Sequence, residues 1–157
     1  MKNNMNRYCI KWLIVMLLCS FVQIKGAEKN IPFLKAVALE QNGEYSKSLK
    51  ILDSLVLNNP RGHEFYYKRA EIHFTMQNYV FALEDFKKAN ELKRDVGNYG
   101  MAKCYAKLDQ PEKSIEYLRT SIRYVEELKE QHFLAKNYNV ISMCYRKLGF
   151  FEKSIAN

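Results

Sequence analysis

Apolar positions along most of this chain recur at the three- and four-residue spacing of short amphipathic helices, broken at brief intervals by turn residues. The clearest stretch is residues 66–93, YYKRAEIHFTMQNYVFALEDFKKANELK, which predicts two helices joined by a tight turn. Ala70 lies on the first, and Ala82 and Ala89 on the second, with Tyr66, Phe74, Tyr79 and Phe86 set around them. Small residues let two helix axes approach closely, and the aromatic rings fill the space beside the contact.

The pattern repeats. The small residue that opens the inner face of each second helix is Ser48, Ala82, Ser114 and Ser154, at spacings of 34, 32 and 40. The local text agrees: GEYSKSLKILDSL, QNYVFALEDFKKA, DQPEKSIEYLRTS and GFFEKSIAN. The matching small residue of each first helix is Ala36, Ala70, Ala102 and Ser142, with Leu39, His73, Tyr105 and Tyr145 three residues on. CYAKLDQPEKSI and CYRKLGFFEKSI nearly coincide over the same turn. Internal repeats at this period indicate a stacked array in which each unit buries its apolar face against the next.

On these residues the chain resembles the tetratricopeptide repeat family, over essentially everything after the N-terminal leader. The resemblance implies an all-α, right-handed α-solenoid of helix–turn–helix units of about 34 residues. The repeats fall at about 29–60, 61–94, 95–130 and 131–157, the last incomplete, within a domain of residues 28–157. The glycine expected in the intra-repeat turn is present as Gly43 and Gly149 but replaced by Gln77 and Asp109, and the proline expected after the second helix is present only as Pro60.

Pro32 suits a first helical turn, and Pro111 followed by Glu112 marks the start of another helix with acid in its first turn. Asp95 is the expected N-cap of the third repeat. SIRYVEELKEQHFLAKNYNVIS holds no Gly or Pro, so the helices on either side are expected to be longer than standard, with the break near residues 129–132. The text then stops in mid-motif, with no polar terminal cap. That fits a truncated product, the N-terminal piece of a longer protein, or a short protein with a frayed end, and it leaves an apolar side open to self-association.

Residues 1–27 read as a signal peptide or membrane anchor. A basic start is followed by the apolar run WLIVMLLCSFVQI, 13 residues long. A comfortable membrane span needs about 20, whereas this length suits a signal-peptide core cleaved after Ala27. An uncleaved anchor and a lipoprotein built on Cys19 are the alternatives, although Leu18 is large for the residue before a lipidated cysteine. Each version exports the repeats, to the periplasm or the outer side of an inner membrane.

The net charge of +8 changes the picture little, because Lys2, Arg7, Lys11 and Lys25 belong to the acid-free leader. The remaining +4 is ordinary and gives no reason to expect nucleic acid as a partner. No HExxH, CxxC, GxGxxG, Walker loop or GxSxG occurs, and His63, His73 and His132 are scattered. Glu84–Asp85 and Glu126–Glu127 are sequence neighbours, which on a helix diverge by about 100° and cannot flank one bond as an acid–base pair. No catalysis, metal or cofactor is expected. His73 takes a packing position. Cys104 and Cys144 occupy equivalent positions in adjacent repeats, on helices about 8–10 Å apart, farther than the roughly 7 Å that a disulfide spans; both are expected buried and unbridged.

In the family that the chain resembles, the first helices line the concave face and hold protein or peptide ligands. Carrying the register over, the lining is Phe33, Val37, Tyr67, Glu71, Phe74, Tyr99, Lys103, Lys107, Asn139, Met143 and Arg146. One subgroup grips a C-terminal carboxylate with Lys and Asn at fixed first-helix positions; Phe33 and Val37 stand at the first two of these here, so that activity is not supported. The resemblance implies a non-catalytic, peptide-binding scaffold in the cell envelope. Its alternative is the sensory front end of a membrane-bound bacterial signalling or transcription regulator.

Overall fold

A computed structural model describes residues 31–128 and 131–150. The expected leader, the last turn from Phe151 and the small residue Ser154 lie outside the described residues. Residues 31–41 form α1. Six helices follow: α2 (Tyr45–Asn58), α3 (His63–Thr75), α4 (Tyr79–Leu92), α5 (Asn98–Lys107), α6 (Pro111–Glu127) and α7 (Gln131–Lys147). No strand occurs among the described residues, and none of their helices is long and apolar enough to cross a membrane.

The small residues sit where the repeat pattern puts them. Ala36, Ser48, Ala70, Ala82, Ala102 and Ser114 are each 0% exposed, as small residues at close helix crossings should be. In the first repeat the crossing is also bonded, the Ser48 hydroxyl donating to the Ala36 carbonyl at 2.7 Å. The larger core residues join neighbouring repeats. Ala36, Leu52 and Leu55 pack with Phe65 and Ile72; Ala70, Ala82 and Phe86 with Met101, Cys104 and Tyr105; and Ala102, Leu118 and Ile122 with Ile141. Each cluster spans a repeat boundary, as a solenoid requires.

The intra-repeat turns are four copies of one structure. Gly43, Gln77, Asp109 and Gly149 have φ of 76°, 63°, 59° and 78°. The following amide reaches back five residues each time: Glu44 to the Leu39 carbonyl, Asn78 to His73, Gln110 to Tyr105 and Phe150 to Tyr145, at 2.8–2.9 Å. This is a Schellman closure, which satisfies a carbonyl that the helix end leaves open. The backbone keeps the left-handed residue even where the sequence lacks glycine.

The expected N-cap Asp95 is not the cap. α5 starts two residues later, with Gly97 as N-cap. Asp95 takes a left-handed φ of 66°, and its carboxylate accepts from Asn98 Nδ2 at 2.8 Å. The physical cause is the close approach of α4. A Cβ on Gly97 would lie 2.3 Å from the Phe86 carbonyl oxygen, and one on Gly100 2.4 Å from the Phe86 ring. Only glycine lets the start of α5 settle there.

The expected lengthening is present. α6 and α7 have 17 residues each, against 14 in α4 and 13 in α3. They pack on one another as two helices, which excludes a single bent helix. Each helix from α2 to α7 packs on the next, and the first helices α3, α5 and α7 also touch in a row. The second helices α2, α4 and α6 make no comparable contact, so the stack curves with the first helices on its inner side.

Candidate functional site: the inner face of the stack

The inner face is built by one stripe of each first helix. α3 supplies Tyr67, Glu71 and Phe74, at the i, i+4, i+7 spacing that keeps three side chains on one face. α5 supplies Tyr99 and Lys103, and the contact between α3 and α5 brings the two sets together. The Lys103 ammonium lies 4.6 Å from the centre of the Phe74 ring and 5.2 Å from that of Tyr99. Burial lowers its pKa, Glu71 opposes that shift, and Lys136 of α7 adds to it. A cation over two ring faces replaces part of its lost hydration with the ring quadrupoles.

The rings themselves are anchored. Tyr67 packs edge-on against Phe86 with centres 5.3 Å apart, and Phe74 meets Tyr79 at the same distance. Burial pushes the Tyr67 phenol up to about 12 and also raises Tyr99, so both stay neutral donors at physiological pH. Lys68 Nζ bridges Glu71 at 2.7 Å and Glu40 at 3.1 Å, which ties α1 to α3 and neutralises part of the Glu71 charge on this face.

Of the eleven residues read from the sequence, the structure therefore gathers five: Tyr67, Glu71, Phe74, Tyr99 and Lys103. Phe33 is half-buried and joins the first repeat's core, its ring 5.5 Å from Phe65. Val37 is half-buried on α1. Lys107, Asn139, Met143 and Arg146 stand exposed on α5 and α7.

A pocket next to this groove was not legible in the sequence. It measures about 160 Å³ and shares Tyr67 and Tyr99 with the groove. Its further walls are Tyr124, Val125 and Leu128, from the end of α6, and Phe133 and Asn137 of α7, with Asp95 and Val96 from the α4–α5 connection. Asn137 falls at a packing position of the repeat, so the register alone assigned it no role. Its signal was the lengthening of α6 and α7, whose added turns supply most of the wall.

Among the described residues no cluster of His, Cys, Asp and Glu could hold a metal ion. Cys104 and Cys144 are buried and free. Burial pushes the Cys104 thiol up to about 12 and raises that of Cys144, whose Sγ lies 3.3 Å from Ser114 Oγ. His73 is the expected packing residue, its ring 5.7 Å from that of Phe81.

Helix pairs stacked through small-residue crossings, with an aromatic inner groove, define an all-α repeat scaffold. Residues 97–124 match the family model for the tetratricopeptide repeat. Solved structures agree on the fold. MamA from Desulfovibrio magneticus superposes with a TM-score of 0.71 at 17% identity, covering 82% of this chain and 72% of that one. A tetratricopeptide repeat protein from Parabacteroides merdae gives 0.66 at 23% identity, over 82% of this chain and 48% of that one. YrrB, described as a tetratricopeptide repeat protein with an unusual peptide-binding site, gives 0.52 at 16% identity, over 77% and 78%. A comparison with curated protein sequences finds no match. The chain therefore has the tetratricopeptide repeat fold, and its third repeat carries the family's own sequence pattern.

Proposed function

We propose that the chain is a non-catalytic scaffold that binds a protein or peptide on its concave face. The observation that carries this is the convergence of Tyr67, Glu71, Phe74, Tyr99 and Lys103 from two consecutive first helices into one groove. Aromatic faces with a partly desolvated cation suit a peptide that offers apolar side chains and a backbone or side-chain acceptor. YrrB supports the reading, because its description joins the same fold to a peptide-binding site.

The test is selection of a random peptide phage library on the intact chain, followed by affinities for the Phe74→Ala/Lys103→Ala double variant. Aromatic and cationic anchors at the centre of an interface each contribute about 1 kcal/mol or more. The double variant should therefore weaken binding at least tenfold, while Lys88→Ala on α4 leaves it unchanged. Selected peptides that bind the double variant as well as the parent would overturn the reading.

The proposal includes an envelope location, supported by the basic-then-apolar text of residues 1–27. Fractionation of bacteria expressing the whole chain should recover it with the envelope; recovery only from the cytosol sinks that part. The sensory front end of a regulator is the second reading on the same leader. Coding sequence after Asn157 that specifies a kinase or a helix-turn-helix would favour it.

A further inference from the structure

The pocket beside the groove contains an unmet hydrogen-bonding group. Asn137 is 1% exposed, the least exposed residue of the lining, and so forms its floor. Its Nδ2 donates to the Phe133 carbonyl at 2.8 Å, one helical turn back. That bond fixes which end of the amide is the acceptor. Asn137 Oδ1 is shielded from solvent and meets no donor among the described residues. A buried acceptor without a donor is costly, and its position in the lining of an aromatic pocket points to a ligand.

We propose that this pocket receives the tyrosine side chain of a peptide partner, with its phenol O–H donating to Asn137 Oδ1. The assignment rests on the peptide-binding reading of the adjacent groove and names one residue of the partner. Size selects the ring: a cavity of about 150 Å³ accommodates benzene, and this pocket is about 160 Å³. The walls select an aromatic ring, since Tyr99, Tyr124 and Phe133 offer ring contacts and Val125 an apolar flank. Charge selects a neutral group. A carboxylate has no proton to donate and would be repelled by Asp95 in the wall, while a cationic side chain would meet Lys136 at the pocket and Lys103 beside it, with Asp95 already paired to Arg94 and Asn98. The peptide main chain remains at the rim, so the donor at the floor has to come from the tip of a side chain. A ring that enters tip-first brings its para position there. Phenylalanine would fill the same space and leave Oδ1 unmet.

The experiment uses small probes before peptides. The isotope-labelled intact chain is titrated with p-cresol and with toluene, and amide shifts locate each probe. The expected result is shifts at Tyr99, Val125 and Asn137, with p-cresol binding about fivefold tighter than toluene, the factor that one net hydrogen bond supplies. Asn137→Leu should abolish the preference, and the comparison of the two probes on the unaltered chain stands even where that variant folds poorly. Equal affinities, a preference that survives Asn137→Leu, or shifts confined to another surface overturn the proposal. Short Gly/Ser peptides with a central tyrosine or phenylalanine follow. Tighter binding of the tyrosine peptide supports the assignment, and p-cresol selectivity without a tyrosine preference overturns the peptide as the occupant. Failure of the groove reading is seen separately, as library peptides indifferent to Phe74 and Lys103.

Discussion

Replacing Gln77 with glycine should stabilise the protein. Gln77 has a φ of 63° in the turn between α3 and α4. Both backbone hydrogen bonds of that turn survive the change, Gln77 N–H to the Phe74 carbonyl at 3.0 Å and Asn78 N–H to the His73 carbonyl at 2.8 Å. A left-handed residue with a Cβ carries a strain of about 1–2 kcal/mol, and glycine returns about 0.5–1 kcal/mol of that through the greater entropy of the unfolded chain. The net gain is about 0.5–1 kcal/mol, which for a chain of this size raises Tm by about 1–4 °C. Asp109→Gly should gain less, because it also removes the exposed ion pair with Lys147 Nζ at 3.0 Å, a contact worth roughly 0–1 kcal/mol. Gly43→Ala is the converse. Its Cβ would meet nothing within 4 Å, so the loss of about 1 kcal/mol comes from φ alone. Urea unfolding measures all three, with the midpoint moving at constant slope. Gln77→Gly with an unchanged or lower midpoint would refute the argument that the turn imposes a left-handed residue against the sequence.

Ala82→Leu should overpack the α3–α4 crossing, where Ala70 and Ala82 are both 0% exposed, and cost about 1–3 kcal/mol by urea unfolding. Arg69 donates through Nε and Nη2 to the two oxygens of the buried Asp85 at 2.7 Å, and through Nη1 to Asp53 at 2.8 Å. Arg69→Met strands that carboxylate and should cost about 2–3 kcal/mol, much of it recovered in Arg69→Met/Asp85→Leu. Cys104 and Cys144, free and with raised pKa, should resist a thiol reagent when folded and react after unfolding without reductant. Burial lowers the His73 pKa, Arg69 adds to that, and Asp85 and Asp53 oppose it. Below about pH 6.5 the unfolded chain therefore takes up a proton that the folded chain refuses. Stability should fall from that pH down towards the folded-state pKa, and His73→Phe should flatten this part of the pH profile of Tm.

Much of the fold was legible because a repeat states its own geometry several times. Any one of Ala70, Ala102 or Ser114 could be chance, but residues of one size at one register in successive units mark helix crossings, and the structure buries them. The turns were legible for the same reason even at Gln77 and Asp109, where glycine is missing and neighbouring copies supply the pattern. Asp95 was misread because it has the chemistry of a cap while the start of α5 is fixed by something distant in sequence. Phe86 fills the space that any residue but glycine would need at positions 97 and 100. Local preference lost there to a tertiary contact.

The inner face shows the same division. Its register follows from helical periodicity, so Tyr67, Glu71, Phe74, Tyr99 and Lys103 could be named in advance. Which of the eleven residues converge depends on the contact between α3 and α5, and periodicity cannot supply that. Asn137 lies further out of reach. A packing position normally holds an apolar side chain, and a polar one there reads as a tolerated exception until its partners are known. Only the folded structure shows that Nδ2 is spent on the Phe133 carbonyl while Oδ1 has no donor among the described residues. The added turns of α6 and α7 make the difference. They bring Tyr124, Val125 and Leu128 alongside Phe133 and Asn137, converting a packing position into the floor of a pocket. The departure from the standard repeat length is therefore the place where this scaffold gains a recognition element that its repeat pattern does not encode.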